Sequence, residues 1–336
     1  MDKSLPLAIT MGCPVGIGPE IILKFFGSER SRDLLPFPVV VIGSRAVLEW
    51  SNRLLDIPVS IVDWNPGDAV RDDAVCVFEP DKGSGLNCAS LKWGCPDRHT
   101  GKAMAGYIEA AVGLIQDNCL QGMVTCPIAK STLNAAGYSF PGHTEMLASL
   151  CGNSSYAMMM AGEKLRVTLV TIHAALAQVS HDLSVEKIVH LIRLTAESLK
   201  NDFGIKSPRI AVAGFNPHAG EGGMFGDEEK TLIGPAVEDM QKVGFDVNGP
   251  YPPDTVFYKA AGGMFDAVVC MYHDQGLIPF KLLHFADGVN VTIGLPIVRT
   301  SVDHGTAYDI AGQGKADPAS LVAAVHMASS IVMHRI

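Results

Sequence analysis

The stretch FDAVVCMYHDQGLIPFK, Phe265 to Lys281, decides the fold. An apolar run rich in valine, Asp266 to Tyr272, reads as a buried strand, and His273, Asp274 and Gln275 stand at its exit before a helix that carries Lys281. The same grammar recurs on either side. RVTLVTI (Arg166–Ile172) is followed by His173, and RIAVAGFN (Arg209–Asn216) by His218. Between them Ser184 to Phe203 reads as a helix, with Ser184 as N-cap and Gly204 as its stop. Earlier in the chain LAITM (Leu7–Met11), PVVVIG (Pro38–Gly43) and GMVTC (Gly122–Cys126) read as strands, with an amphipathic stretch at Ala105–Gln116. Near-continuous Val/Ile/Leu runs suit strands covered on both faces, so the expectation is an α/β protein with largely parallel sheets.

At 336 residues and 48% hydrophobic, the chain has material for two α/β/α lobes and a cleft between them. The expected division is 1–130 with 290–336 in the first lobe and 131–289 in the second. Thirty-five acidic against twenty-six basic residues give a net charge of −9, and there is no Lys/Arg block to neutralise a run of phosphates, so nucleic acid is not an expected partner. The first residues, MDKSLPLAITMGCPVG, lack a signal peptide's apolar stretch, and no apolar run approaches the ~20 residues that span a bilayer. A cytoplasmic protein with no membrane partner is expected. Cys13, Cys76, Cys88, Cys95, Cys119, Cys126, Cys151 and Cys270 form no C-x-x-C pair and read as ordinary thiols rather than a zinc-thiolate site.

His173, His218 and His273 are 45 and 55 residues apart in sequence, yet each follows a strand. In open parallel sheets the loops beyond the carboxyl ends gather on one edge, where ligands bind. Three imidazoles with open remaining positions suit a catalytic divalent metal; the bland alternative is three loop histidines bonded to nearby carbonyls. PGHTE (Pro141–Glu145) sets His143 and Thr144 at a helix start, where free N–H groups favour a carboxylate or phosphate, or where Thr144 is simply a cap. Lys281, Asn290 and Arg299 follow His273 at intervals of eight, nine and nine residues and together suit a clamp for an anionic substrate. Asp274 is either a partner of the imidazole or a helix N-cap. VDHGTAYDIAGQGKADP (Val302–Pro318) reads as a helix entered through His304, Gly305 and Thr306 and followed by a glycine-rich turn, able to receive a nucleotide. Gly16-Ile17-Gly18 follows a strand and opens a helix, but it lacks the third glycine of the dinucleotide fingerprint.

GIGPEI (Gly16–Ile21), FPGHTE (Phe140–Glu145), NPHAGE (Asn216–Glu221), PPDTVF (Pro252–Phe257), MYHDQGLIPFK (Met271–Lys281) and GVNVTIGLPIVRTSVDHGTAYDIAGQGKAD (Gly288–Asp317) resemble the 4-hydroxythreonine-4-phosphate dehydrogenase family along nearly the whole chain. The resemblance implies a fold like that of isopropylmalate and isocitrate dehydrogenases and a homodimer whose active site is shared between subunits. It implies metal ligands at His173, His218 and His273, for Zn2+, Mg2+, Co2+ or Mn2+. It implies substrate contacts at His143, Thr144, Lys281, Asn290 and Arg299. NAD or NADP would lie on Gly305, Thr306, Asp309, Ile310 and Ala311. The implied reaction oxidises and decarboxylates 4-phosphooxy-L-threonine, a small phosphorylated hydroxy acid on the path to pyridoxal phosphate, with Lys281 or Asp254 as candidate general base. Relatives act on D-threonate or D-erythronate 4-phosphate or on a terephthalate cis-dihydrodiol. A catalytically silent metabolite-binding protein and a metal-dependent hydrolase are the readings from other classes. Where the family commonly has an acid, MGCPVGIGPE carries Cys13, a change that bears on the substrate accepted.

Overall fold

The computed structural model describes residues 5–32, 35–81, 85–140 and 142–336. The first four residues and Pro141 of the PGHTE stretch lie outside the described residues. Among the described residues the strands are β1 (Leu7–Thr10), β2 (Val39–Ile42), β3 (Ser60–Asp63), β4 (Ala74–Phe78), β5 (Gly122–Thr125), β6 (Ala157–Ala161), β7 (Arg166–Leu169), β8 (Ile210–Ala213), β9 (Val247–Tyr251), β10 (Ala267–Cys270), β11 (Val289–Ile293) and β12 (Arg299–Val302). Each of the six apolar runs quoted above contains one of them. The α/β class expected from those runs holds.

The chain forms two compact units, one made of residues up to Ser154 with Leu295–His334 and Ile336, the other of Ser155–Gly294 with Arg335. The breaks differ from the expected 130/131 and 289/290. The helix His143–Leu150 packs on the helix Arg98–Gln116, and Gln116 donates to the Leu150 carbonyl at 3.4 Å, which draws residues 131–154 into the first unit. β11 pairs antiparallel with β6, Asn290 opposite Met160, which draws that strand into the second. His143 and Thr144 therefore belong to the first unit and Asn290 to the second, the reverse of the expectation.

In the first unit the strands run in the order β3-β4-β2-β1-β5-β12, all parallel. Every residue of β1, β2, β5 and β12 is buried, as apolar strands covered on both faces should be. The helix Arg98–Gln116 starts where Asp97 accepts from the Thr100 amide and Thr100 returns a hydroxyl to the Asp97 backbone, a reciprocal cap that satisfies donors the first turn cannot. Its Met104 and Tyr107 are completely buried.

In the second unit the order is β11-β6-β7-β10-β8-β9; β6 runs antiparallel to both its neighbours and the remaining pairs are parallel. Val167, Leu169, Ala211, Val268, Cys270 and Phe280 form its core. Phe280 is fully buried, which at about 1.5–3 kcal/mol for such a side chain anchors the helix His273–Leu283 against the sheet. Ser184 accepts from the Lys187 amide and Gly204 takes φ +67° just past the helix Val185–Asn201, so both expected signals act as read.

Candidate active site

β7, β10 and β8 are consecutive and parallel, so their carboxyl ends lie side by side. That adjacency brings the three histidine-bearing exits to one sheet edge. Val170 and Thr171 prolong the pairing past β7 by donating to the Cys270 and Met271 carbonyls at 2.9 and 3.2 Å. The His173 and His273 rings then lie 6.0 Å apart, centre to centre, tilted by 35°. Two imidazoles bound at 2.0–2.1 Å to one tetrahedral ion would have ring centres roughly 5 Å apart, so this pair fits a shared metal. Among the described residues, His218 does not join them in a group of three that could hold a metal ion.

His273 opens the helix His273–Leu283, whose N-cap is Tyr272. Asp274 is therefore not the cap; its Oδ1 stands 2.7 Å from His273 Nδ1 and orients the ring. Gln275 is buried, accepts from the Met271 amide at 2.7 Å and donates to the Gly214 carbonyl at 2.6 Å. It ties the exit of β10 to the exit of β8. Lys281 lies eight residues along this helix, roughly 12 Å from its start, with its ammonium 6.0 Å from the Phe285 ring centre. Asn290, on β11, is separated from β10 by β6 and β7, and its side-chain oxygen is enclosed without a hydrogen-bond partner among the described residues. Asp254 is exposed in the first turn of the helix Pro253–Ala261.

His218 sits in a run of left-handed backbone, His218 to Gly222, with φ between 42° and 78°. Three of the five residues, His218, Ala219 and Glu221, are not glycine, and each L residue held there costs about 1–2 kcal/mol. The carboxylate of buried Glu229 reaches into this segment and accepts from the Phe215 and Asn216 amides at 2.8 and 2.7 Å.

His143, Thr144 and Arg299, expected to contact an anion, all lie in the first unit. His143 begins the helix His143–Leu150 after Gly142, and its Nε2 is enclosed with no hydrogen-bond partner among the described residues. Burial, reinforced by the Arg299 guanidinium, holds its pKa well below the ordinary 6.5, so the ring is neutral. Arg299 is buried and donates to Thr125 at 2.7 Å; burial lowers its pKa to about 10 against the opposing pull of Glu145. Thr144 is half-buried in the first helical turn. Lys130 and Glu145 were not among the expected residues, yet both border Gly142: a Cβ there would stand 3.4 Å from Lys130 Cε and 3.1 Å from Glu145 Oε2. A neutral imidazole with an open nitrogen, a buried guanidinium and a helix start suit a bound anion.

The expected helix at His304–Thr306 is absent. Residues 303–318 form a chain of turns, with Ala307 at φ 41° and Gly312 and Gly314 at φ 75° and 71°, and the next helix begins only at Ala319. Other elements hold this loop. Glu20, completely buried, accepts from the Ala316 amide at 2.7 Å and the Gly314 amide at 3.3 Å, and pairs with Lys24 at 2.9 Å. Lys24 in turn donates to the Gly314 and Ala316 carbonyls at 2.8 and 2.6 Å. Trp93, stacked on Trp50 at 4.3 Å, fills the space a Cβ on Gly312 would need. The Tyr308 hydroxyl donates to Cys13 Sγ at 3.4 Å, and the thiol is fully buried with its pKa raised by burial. Cys13 thus faces the loop rather than solvent. The amides of Gly16 and Ile17 are taken by the Cys13 and Thr306 carbonyls, which leaves them unavailable to a phosphate and agrees with the missing fingerprint glycine. Of the five residues expected to meet the nucleotide, Gly305 and Asp309 are exposed, Thr306 and Ile310 are half-buried, and Ala311 is buried. Open space around Gly305 and the enclosed, unpartnered Nε2 of His304 fit a nucleotide lying along it.

Mostly parallel α/β units that set imidazoles at adjacent strand exits, and a buried guanidinium beside a helix start, define an α/β enzyme of small anionic substrates. The chain is 54% identical to a 4-hydroxythreonine-4-phosphate dehydrogenase of Desulfosudis oleivorans, over 96% of this chain and 94% of that one. Among solved structures it is similar to a 4-hydroxythreonine-4-phosphate dehydrogenase of Klebsiella pneumoniae, with TM-score 0.89 and 39% identity over 98% and 100% of the two chains. It is also similar to a terephthalate 1,2-cis-dihydrodiol dehydrogenase of Burkholderia xenovorans, with TM-score 0.65 and 27% identity over 97% and 98%. The family model described as pyridoxal phosphate biosynthetic protein PdxA matches residues 36–328, and the chain belongs to that family.

Proposed function

We propose that this protein is an oxidoreductase that oxidises and decarboxylates 4-phosphooxy-L-threonine with NAD or NADP, in pyridoxal phosphate biosynthesis. The observation that carries the reading is the full-length likeness to enzymes of that name, at 54% identity for the Desulfosudis relative. The lower identity, 27%, to the dihydrodiol dehydrogenase favours a phosphorylated substrate over the dihydrodiol.

In this reading His143, Thr144 and Arg299 hold an anionic end of the substrate, with Lys281 and Asn290 as further contacts. Neutral His143 donates or accepts one hydrogen bond through its open Nε2, while Arg299 supplies charge from a buried position. In the overall reaction the C3 hydroxyl loses its proton to a base and C3 loses its hydrogen as hydride, which NAD or NADP would accept when bound; the 3-keto acid then loses CO2 and takes up a proton to leave 3-amino-2-oxopropyl phosphate. A divalent ion, one of Zn2+, Mg2+, Co2+ or Mn2+, would when bound lower the pKa of that hydroxyl and polarise the carbonyl. His173, His218 and His273 are its proposed ligands, supported by the ring separation of His173 and His273. Lys281, on the helix that His273 opens, and Asp254, in the first turn of the helix Pro253–Ala261, are the two candidates for the base. The nucleotide is assigned to Gly305, Thr306, Asp309, Ile310 and Ala311.

A homodimer with shared active sites is part of the proposal. Ile278 and Leu282 are 68% and 85% exposed, four residues apart on the helix that His273 opens, and Phe285, 82% exposed, follows just past the helix end, so apolar side chains gather at this end of the helix. The test is formation of reduced nicotinamide by the purified, metal-loaded protein. Turnover of 4-phosphooxy-L-threonine well above that of D-threonate 4-phosphate, D-erythronate 4-phosphate and the dihydrodiol is expected. No reduction of NAD or NADP with any of the four would reject an oxidoreductase.

A further inference from the structure

We infer that Glu229 is a positioning residue for His218. Its carboxylate holds the left-handed turn that aims the imidazole. The inference rests on the reading of His218 as a metal ligand.

Glu229 is 5% exposed, and its partners in the turn are amide N–H groups, not cations. Oε1 accepts from the backbone of Phe215 and Asn216, at 2.8 and 2.7 Å, and Oε2 from the Asn216 side chain at 2.9 Å. The turn is shaped around the carboxylate. A Cβ on Gly220 would lie 2.7 Å from Oε2, and one on Gly214 would lie 3.2 Å from Oε1. Glu229 opens a π-helical turn, Glu229–Ile233, in which the Gly234 amide reaches back five residues to the Glu229 carbonyl. That widened turn presents Glu229 and its neighbour together, and Lys230 donates to the Gly222 carbonyl at the far end of the left-handed run. One short element therefore grips the segment before His218 and after it.

A run of left-handed L residues does not persist on its own preferences. The direction of the His218 side chain follows from its φ of 53° and ψ of 28°, so relaxation to right-handed backbone would swing the imidazole away. Glu229 acts through the backbone and has no need to touch metal or substrate.

The test compares Glu229→Gln and His218→Ala with the parent, all metal-free after chelation. Amide hydrogen exchange is followed over residues 214–223, and Zn2+ affinity is measured by calorimetric titration. Glutamine keeps the size and one acceptor but loses the charge and the second acceptor. The expected result for Glu229→Gln is faster exchange at Phe215, Asn216 and the 218–222 turn, with Zn2+ binding weaker by about 10–100-fold. Exchange in β10 should be unchanged, which separates the effect from global loss of structure. Unchanged exchange over 215–222 and parental Zn2+ affinity in Glu229→Gln, beside weakened binding in His218→Ala, would overturn the inference and leave the ligand reading standing. Parental Zn2+ affinity in His218→Ala would overturn the ligand reading itself, and the positioning role with it.

Discussion

The buried pair Glu20–Lys24 should be what fixes the loop assigned to the nucleotide, and Glu20→Gln tests this. The Glu20 carboxylate is completely buried and satisfies two loop amides, Ala316 at 2.7 Å and Gly314 at 3.3 Å, besides the Lys24 ammonium at 2.9 Å. Glutamine fits the space but can turn only one oxygen toward these donors, so one loop amide meets an NH2 group. Weakening bonds to a charged acceptor costs about 1.5–3 kcal/mol, and one buried donor left unmade costs about 1–3 kcal/mol. Lys24 offsets part of this, since it is a quarter exposed and keeps its bonds to the Gly314 and Ala316 carbonyls. A loss of about 2–4 kcal/mol remains, to be read by urea unfolding followed by circular dichroism. Steady-state kinetics should show KM for NAD or NADP raised and KM for the phosphorylated substrate near the parent value, because His143 and Arg299 are not held by this pair. A stability change under about 0.5 kcal/mol with unchanged cofactor KM would refute the reasoning.

Exhaustive chelation should abolish activity, and Zn2+, Co2+, Mn2+ or Mg2+ should restore it; full activity with no detectable metal would remove the histidine site from the mechanism. Arg299→Lys keeps the charge but gives up a planar donor 2.7 Å from Thr125, and substrate KM should rise about tenfold or more. Mixing inactive His173→Ala, His218→Ala and His273→Ala proteins in pairs should restore up to about half the parent activity when one partner lacks His218. The pairing of His173→Ala with His273→Ala should stay inactive, because those rings lie 6.0 Å apart in one chain. Stability should also fall on acidification below about pH 6.5. There the unfolded chain protonates His143 while the folded protein, with its value pushed well below 6.5, does not, and the loss is at most about 1.4 kcal/mol per pH unit. His143→Gln should flatten that part of the pH–stability curve.

The strand exits were legible because the signal is local: valine-rich runs end where polar residues begin, as at Val268–His273. Of the strands that escaped reading, β3 and β6 lack that signal. β3 is partly exposed along its whole length, and β6 reads AMMMA, without a β-branched residue. The stretch after Val302 looked like a helix entry, but nothing nearby reveals that Glu20, 294 and 296 residues from its loop partners, holds it as turns. The left-handed turn was not legible: His218, Ala219 and Glu221 adopt it through a carboxylate eleven residues from His218, beyond the reach of local propensity. Asp274 was open between two roles because the sequence does not say which residue caps a helix when the first candidate is itself His273.

The stacking of Trp50 on Trp93 gives the protein a built-in optical reporter. Of its three indoles, Trp64 is 2% exposed, while the other two are in face-to-face contact with Trp93 against Gly312. Near-ultraviolet dichroism and intrinsic emission will be weighted toward that coupled pair, so a nucleotide settling on the neighbouring loop can be titrated by eye of the chain's own chromophores, without label, turnover or a second substrate.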